Sequence, residues 1–290
     1  MMRYLEMNEV RDRASGWKHA KLSGHENESK LEYLMAVDEA TQRHFLERVG
    51  KPNKKIIHVD VGGLCETDVP CVFAGEKTKS KTDMHVILDD GTKYNISIKK
   101  SLGGQVYLIG IHRFIRGFEA QYKTTIPNIV KRAITLFWGS AEDIPTLIEK
   151  YGTRSVYERR KNRLVADTLK VYDISLYDSL LNWFKENIVN IADFCFSRGL
   201  AFNESDWANV IWYKNELGEN QIDEIYLVSE LCNKIKVVAD SETFYGKVGG
   251  GTTIQLPFGF VQWHSPTKKI PGDMQFHHKY TNLAKWIKGL

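Results

Sequence analysis

Hydrophobic residues recur at helical spacing near the start of the chain. Across 27–49 the apolar positions lie three, four or seven residues apart, which predicts a single amphipathic helix. Gly24 precedes this helix, and Gly50-Lys51-Pro52 ends it. The apolar positions are Leu31, Leu34, Met35, Val37, Phe45, Leu46 and Val49.

The pattern then changes to the two-residue period of β-strands. Segments 56–61, 83–88 and 94–99 alternate apolar with polar residues, and 106–111 is a further apolar stretch. Asp89-Asp90-Gly91 separates the second and third segments, and Asp-Gly between alternating segments favours a tight hairpin. The sequence therefore predicts that 83–88 and 94–99 pair as antiparallel strands.

The rest of the chain mixes helical and strand patterns. Helices are predicted over 126–137, 144–151, 156–171 and 176–198. Strands or partly buried segments are predicted over 207–213, 221–227, 252–256 and 258–263. Since the sequence shows no repeat and no clear linker, it predicts one mixed α/β domain, 1–290, with a helical insertion.

Composition narrows the class of protein. The chain has 290 residues, of which 42% are hydrophobic and 26% charged, which is typical of a globular domain. No apolar run approaches the roughly 20 residues that cross a bilayer, and the polar start lacks a signal-peptide core. Four scattered cysteines do not form a disulfide framework. We therefore expect reduced thiols and a cytoplasmic protein.

The charge is mildly basic but clustered. The net charge is +4, and lysines and arginines concentrate at 51–55, 77–81, 99–100, 154–163 and 268–288. Several basic segments on one face would suit nucleic acid. Ordinary solvated surface also explains these basic segments, and on charge alone it is the favoured interpretation.

The predicted hairpin carries the most informative candidate chemistry. Ser97 and Lys99 are two residues apart and therefore share one face of their strand, with Ile98 on the other. Pairing across the turn would bring Asp83 to them. A carboxylate, a hydroxyl and an ammonium together suit metal-assisted hydrolysis of a phosphodiester. The competing interpretation is a surface hairpin with polar outer residues.

Glu28 is a weaker candidate. It lies near the start of the predicted first helix, where an acidic residue often only complements the helix dipole. Cys65 and Cys71 lack the second pair that a zinc site would need, and no G-x-S-x-G signature is present.

Together with these residues, a set of short blocks resembles type II restriction endonucleases of the MspI and HinP kind. These enzymes form a branch of the PD-(D/E)xK nucleases in which Asn or Gln replaces the second acid. Each block is short, but they occur in the same order over most of the chain. They are Gly24-His-Glu-Asn-Glu28, Lys81-Thr-Asp83, Ser97-Ile-Lys99, Gly104-Gln105-Val106, residues 181–187, Arg198-Gly199 with Trp207, Phe258-Gly-Phe-Val261 and Met274-Gln-Phe276.

The resemblance implies a restriction-endonuclease-like α/β core with a central mixed sheet flanked by helices, about 17–140. A helical and C-terminal DNA-recognition part would occupy about 141–290. It also implies Mg²⁺-dependent cleavage of double-stranded DNA at a short site of about four base pairs. By matching position, Asp83 would bind metal, Lys99 would be catalytic and Ser97 would replace the Asn or Gln. Ser97 is shorter than either, so its contact with metal could run through water. Glu28 would be a supporting acid.

The same resemblance suggests how DNA would be held. Gln105 falls where the HinP type has a glutamine that contacts DNA. Phosphate contacts are expected from basic side chains and base contacts from polar side chains on C-terminal loops. The expected phosphate contacts are Lys79, Lys81, Lys100 and some of Arg154, Arg159, Arg160 and Arg163. The expected base contacts are Gln262, His264, Lys268 and Lys269.

Two functions remain open at this stage. The first is a restriction endonuclease, for which a DNA methyltransferase would be the genetic partner. Its active form could be a monomer or a homodimer. The second is a DNA-binding or repair protein that keeps a nuclease fold without the reaction, which the serine at position 97 would permit.

Overall fold

The structure is a computed structural model and describes residues 13–60, 68–151, 163–217, 222–248, 251–264 and 272–288. Within these ranges, no helix combines the length and the apolarity needed to cross a bilayer. The three described cysteines, Cys71, Cys195 and Cys232, are free thiols.

Helices and strands alternate irregularly along the chain. The helices are α1 Arg13–Val37, α2 Glu39–Arg48, α3 Ile111–Tyr122, α4 Asn128–Trp138, α5 Ile144–Tyr151, α6 Ala166–Tyr172, α7 Ile174–Glu186, α8 Ile188–Asp193, α9 Val228–Val237, α10 Ala239–Glu242 and α11 Tyr280–Lys288. The strands are β1 Ile56–Asp60, β2 Asp68–Pro70, β3 Lys77–Lys79, β4 Met84–Leu88, β5 Lys93–Lys99, β6 Gly103–Gly110, β7 Val210–Lys214, β8 Asp223–Leu227, β9 Phe244–Val248, β10 Gly251–Leu256, β11 Gly259–His264 and β12 Asp273–Lys279.

A five-stranded mixed sheet, in the order β1-β4-β5-β7-β8, contains the predicted hairpin. β4 and β5 pair antiparallel, with Met84 opposite Ile96 and Val86 opposite Tyr94. Gly91 has a φ of 80°, which the turn requires and which glycine adopts without strain. β5 pairs parallel to β7, and helices α3 to α8 lie between β6 and β7 in the chain. The predictions of the hairpin and of a mixed α/β fold with a central mixed sheet are confirmed.

A second five-stranded sheet, in the order β6-β12-β11-β10-β9, is antiparallel throughout. Its first strand follows the hairpin almost directly, since β5 ends at Lys99 and β6 begins at Gly103. The backbone N–H of Tyr280, after β12, donates to the carbonyl of Leu102 in that short connection. The second sheet is thereby attached to the end of the candidate catalytic strand.

Two apolar cores hold these layers together. One lies between the first sheet and helices α1 and α2, and includes Leu31, Phe45, Val86, Ile98 and Trp212. The larger core joins the second sheet to most of the remaining helices. Ile98 faces the first core, as its alternation with Ser97 and Lys99 predicts.

The N-terminal helix differs from its prediction. The predicted single helix over 27–49 is two helices, and the break falls at Asp38, whose carboxylate accepts a hydrogen bond from the backbone N–H of Thr41. Asp38 is thus an N-cap that starts a new helix. The prediction that Gly24 precedes the first helix is wrong, because α1 already begins at Arg13. Glu28 therefore lies well inside α1, beyond the reach of a helix-dipole effect.

The long helix predicted over 176–198 is also divided. It is α7, α8 and a π-helical turn, Phe194–Arg198. Gly199 ends this turn with a φ of 53°, and a Cβ there would lie 3.1 Å from Cε of Lys81 and 3.3 Å from the hydroxyl of Tyr107. A glycine is therefore needed both for the backbone conformation and for the close approach of these two side chains.

Candidate active site

The hairpin brings Asp83 against the end of β5. The Oδ2 atom of Asp83 accepts hydrogen bonds from the backbone N–H of Ile98, at 2.7 Å, and from Oγ of Ser97, at 3.2 Å. The backbone N–H of Asp83 in turn donates to the carbonyl of Ile96. Both hydrogen bonds to the side chain of Asp83 are made to Oδ2, and they fix the carboxylate in one orientation. Oδ1 can then bind a cation.

Lys99 completes a chain of three polar side chains. Its Nζ donates to Oγ of Ser97 at 2.6 Å, so Ser97 accepts from the lysine and donates to the aspartate. Ser97 is only 2% exposed and lies beneath the other two. The hydroxyl is thus placed to hold the ammonium and the carboxylate at a fixed separation.

Glu28 joins the site from α1. Burial, and then the negative charge of Asp83, raise the pKa of Glu28 above its ordinary value of 4.5, while a hydrogen bond with His25 opposes the shift. The neighbouring Asn27 is fully buried: its Nδ2 donates to the carbonyl of Lys214, and its Oδ1 accepts from the backbone N–H of Glu216. Asn27 therefore anchors α1 to the end of β7 and fixes where Glu28 lies.

Lys81 occupies a different position from the predicted phosphate contact. Its Nζ lies 3.8 Å from the centre of the Tyr107 ring and donates to the carbonyl of Val106 at 3.3 Å. Burial of this amine lowers the pKa of Lys81 to about 7, and the charge of Lys99 adds to that effect. Nζ of Lys81 is thus already engaged with a ring face and a carbonyl, and a contact with phosphate would have to replace these interactions.

Among the four arginines of which some were expected to contact phosphate, Arg163 lies inside the protein. It is only 4% exposed and donates to the carbonyls of Phe137 and Thr252, so it links α4 to β10 inside the protein. Lys79 is exposed on β3, and Lys100 is half-buried beside the site. The other predicted basic contacts, Arg154, Arg159, Arg160, Lys268 and Lys269, lie outside the described residues.

The predicted base contacts that the structure describes lie on strands rather than loops. Gln105 is on β6, Gln262 is on β11, and His264 is the last residue of β11, with its Nδ1 4.0 Å from a carboxylate oxygen of Asp273. The sequence analysis did not identify Gln275 on β12, whose side-chain amide bonds both to Gln105 and to Gln262. The alternation of Met274, Gln275 and Phe276 was the available signal, because it places the glutamine on the outward face.

A buried pair behind Lys99 was also missed. Lys99 lies opposite Tyr213 in the parallel register, and the hydroxyl of Tyr213 is 2.7 Å from Nδ1 of His278. Burial, followed by the charge of Lys99, lowers the pKa of His278 to about 3, so the ring is neutral. This neutral pair therefore adds no charge of its own beside Lys99.

The donor chemistry of the site fits Mg²⁺. Asp83 and Glu28 offer carboxylate oxygens, which this cation prefers, and Mg²⁺ typically binds one or two carboxylates while keeping several waters. A cation between them would also relieve the repulsion that raises the pKa of Glu28. In the described part of the chain, no group of three or more His, Cys, Asp and Glu side chains is arranged to hold a metal ion.

A comparison with solved structures identifies a protein with a similar fold. No family model matches the chain, and no curated protein matches it. Among solved structures, the chain is similar to the restriction endonuclease MspI in complex with its cognate DNA. The TM-score is 0.47 and the sequence identity 12%, over 90% of this chain and 87% of that one.

Replacing Glu28 with glutamine should stabilise the protein and weaken the site. A carboxyl whose pKa is raised on folding lowers the free energy of unfolding above its unfolded-state pKa, and this cost disappears below that value. Glu28→Gln should therefore raise the Tm at pH 8 but not at pH 4. If the site cleaves DNA, as the sequence predicts, the cleavage rate should fall by roughly 10- to 100-fold, as for loss of a supporting partner.

The matched control is Glu26→Gln, on the same helix but exposed, which should change neither Tm nor cleavage. Thermal melts at the two pH values and cleavage rates test both parts. An equal gain in Tm at pH 4 would show that Glu28 destabilises through its packing rather than its charge.

Replacing Ser97 with alanine should cost less than replacing either of its partners. The substitution removes the link between Lys99 and Asp83 but leaves both charges and the Ile98 hydrogen bond to Asp83. We expect cleavage to slow by roughly 10- to 100-fold, the range for an outer partner of a metal ligand. Single-turnover rates across a Mg²⁺ titration measure this. Ser241→Ala, at an exposed serine on α10, is the control.

Wild-type rate and metal dependence in Ser97→Ala would show that the hydroxyl is only a structural feature of the hairpin. The second polar position would then have to come from another residue, with Glu28 the first to examine.

Proposed function

We propose that the protein is a type II site-specific deoxyribonuclease that hydrolyses phosphodiester bonds in double-stranded DNA with Mg²⁺. The observation that carries the proposal is the hydrogen-bonded series Lys99–Ser97–Asp83 at the end of the hairpin, with Glu28 beside it. A surface hairpin would not bury its serine or hold an aspartate by a backbone N–H from the facing strand. The ordered sequence blocks around these residues support the same assignment.

Each residue has a separate task in this proposal. Asp83, held by Ile98 and Ser97, would bind Mg²⁺, which would supply a Lewis acid at the scissile phosphate, and Glu28 would be a supporting acid beside it. Lys99 would place its positive charge where negative charge develops on that phosphate. Ser97 would hold the ammonium and the carboxylate at a fixed separation and would not need to contact the metal directly.

DNA would be held by groups around this centre. Lys100 and Lys79 are the described basic residues that we assign to phosphates. Gln105, Gln262 and His264 lie on the second sheet, which begins just after Lys99, and we assign them to base contacts. A short recognition site, a genetic pairing with a DNA methyltransferase and a homodimeric form belong to the same proposal.

Incubation with plasmid DNA and Mg²⁺ tests the activity directly. Discrete fragments with constant ends are expected, and chelation of the metal should stop the reaction. A continuous smear would indicate a nuclease without sequence specificity. DNA binding without cutting would favour the alternative, a binding or repair protein that has lost the reaction.

A further inference from the structure

Three glutamine side chains form a continuous row across three neighbouring strands of the second sheet. Nε2 of Gln262, on β11, donates to Oε1 of Gln275, on β12, at 2.7 Å. Nε2 of Gln275 donates to Oε1 of Gln105, on β6, at 2.8 Å. Nε2 of Gln262 also lies 3.2 Å from Nε2 of His277. We call these four residues the amide row.

The amide row lies on the outward face of the sheet. On β12, Met274, Phe276 and His278 are buried in the protein, so the alternating Gln275 and His277 point the other way. Gln105 is exposed, and the other members of the row are half-buried. Burial, followed by the charges of His264 and Lys279, lowers the pKa of His277, so a neutral ring completes the row.

The row has more hydrogen-bonding capacity than its internal bonds use. A glutamine amide has two N–H donors and a carbonyl oxygen that can accept twice. The bonds within the row hold each amide in a defined orientation, which reduces the entropy lost when a ligand binds. A face of oriented amides matches a ligand that presents alternating donors and acceptors in one plane.

The row is also continuous with the candidate catalytic strand. Gln105 is two residues into β6 from Gly103, and only residues 100–102 separate that strand from Lys99. A duplex bound at Lys99 reaches the amide row if it extends from the end of β5 across the outward face of the second sheet.

The chemistry of the row points to a particular base. In the major groove adenine presents the N7 acceptor beside the N6 amino donor, and a glutamine amide can bond to both. Guanine is usually read by arginine or lysine instead. β6, β11 and β12 contain no arginine, and their one lysine, Lys279, ends β12 with its Nζ 5.3 Å from the centre of the Phe260 ring.

We infer that the amide row reads adenine in the major groove, with Gln275 as the central contact, so that the recognition sequence contains at least one A·T pair. This inference rests on the proposed function, since it assigns a specificity to that endonuclease. The DNA recognition sequence should therefore not consist of G·C pairs alone.

Mapping the ends of wild-type digests by sequencing tests the inference first. The cleaved sites should share an A·T pair at a fixed position. Substitution of 7-deazaadenine at that position removes the N7 acceptor and should slow cleavage by about 10- to 100-fold, the range expected for one bidentate contact. This experiment needs no variant, so it stands even if a substitution disturbs folding.

Variants then assign the contact to a residue. Gln275→Ala should lose cleavage of the cognate duplex by about 10- to 100-fold and discriminate less at the A·T position. Gln275→Glu should shift the preference there towards cytosine, because a carboxylate accepts from the cytosine N4 amino group. Gln121→Ala removes a half-buried glutamine on α3 that donates to the carbonyl of Ala201, and should leave specificity unchanged.

The outcomes separate this inference from the proposed function. Specific cleavage at sites with only G·C pairs, or unchanged base preference in both Gln275 variants, would overturn the inference and leave the endonuclease assignment intact. Absence of any DNA cleavage or binding would overturn both.

Discussion

Replacement of Asp83 with asparagine is expected to abolish DNA cleavage while DNA binding is retained. Asparagine has nearly the same shape, and its side-chain oxygen can still accept from the backbone N–H of Ile98, so the hairpin should remain intact. The negative charge is lost, and Glu28 becomes the single carboxylate of the site. Because this removes a direct metal ligand, the loss should exceed the roughly 10- to 100-fold of an outer partner, and we expect at least about 1000-fold.

Two measurements on the same protein separate chemistry from binding. Single-turnover cleavage across a Mg²⁺ titration gives the loss of rate, and fluorescence anisotropy with a labelled duplex in Ca²⁺ gives the affinity. Asp89→Asn, at an exposed aspartate in the hairpin turn, should behave as wild type in both. Cleavage by Asp83→Asn within tenfold of wild type would remove Asp83 from the metal site.

The arrangement of Asp83 and Ser97 could be predicted from the sequence because it depends on local structure. Two alternating segments joined by Asp-Gly specify a hairpin, and a tight turn fixes which residues lie opposite each other. The observed register, with Met84 opposite Ile96, follows from that turn. The contact of Ser97 with Asp83 needs no information from the rest of the chain.

The second sheet could not be derived in the same way. β6 pairs with β12, more than 160 residues later in the chain, and β5 pairs with β7, more than 100 residues later. Nothing in a local pattern selects among partners at such separations. Gln105 and Gln262 could therefore be proposed individually as DNA contacts, whereas their connection through Gln275 emerges only from the strand order.

Charged residues that turn inward were the other source of error. Lysine and arginine are so rarely buried that a sequence pattern assigns them to the surface by default. Arg163 is buried because two backbone carbonyls accept its hydrogen bonds and because its guanidinium lies 5.1 Å from the centre of the Phe137 ring. The charge clusters thus overstated the basic surface, because Arg163 lies inside the protein and Nζ of Lys81 is engaged with the Tyr107 ring and the carbonyl of Val106.

The second large effect is expected from replacement of Lys99 with methionine. Methionine keeps an unbranched side chain of similar length, so the packing beside Tyr213 should be preserved. The positive charge and the hydrogen bond to Ser97 are both lost. Loss of one group that stabilises developing charge typically costs about 100- to 1000-fold in rate, and we expect Lys99→Met to fall in that range.

Lys99→Arg tests whether charge alone is sufficient. The guanidinium is longer, planar and forked, so it cannot reproduce the single short bond from Nζ to Ser97, and we expect little recovery of the rate. Lys93→Met, at an exposed lysine on the same strand, controls for the loss of one positive charge. If DNA affinity fell by the same factor as the cleavage rate in Lys99→Met, Lys99 would be a phosphate-binding residue rather than a catalytic one. A loss confined to the rate would instead place its charge at the phosphate as the bond breaks, since only interactions that are stronger in the transition state than in the bound substrate change the rate of the chemical step.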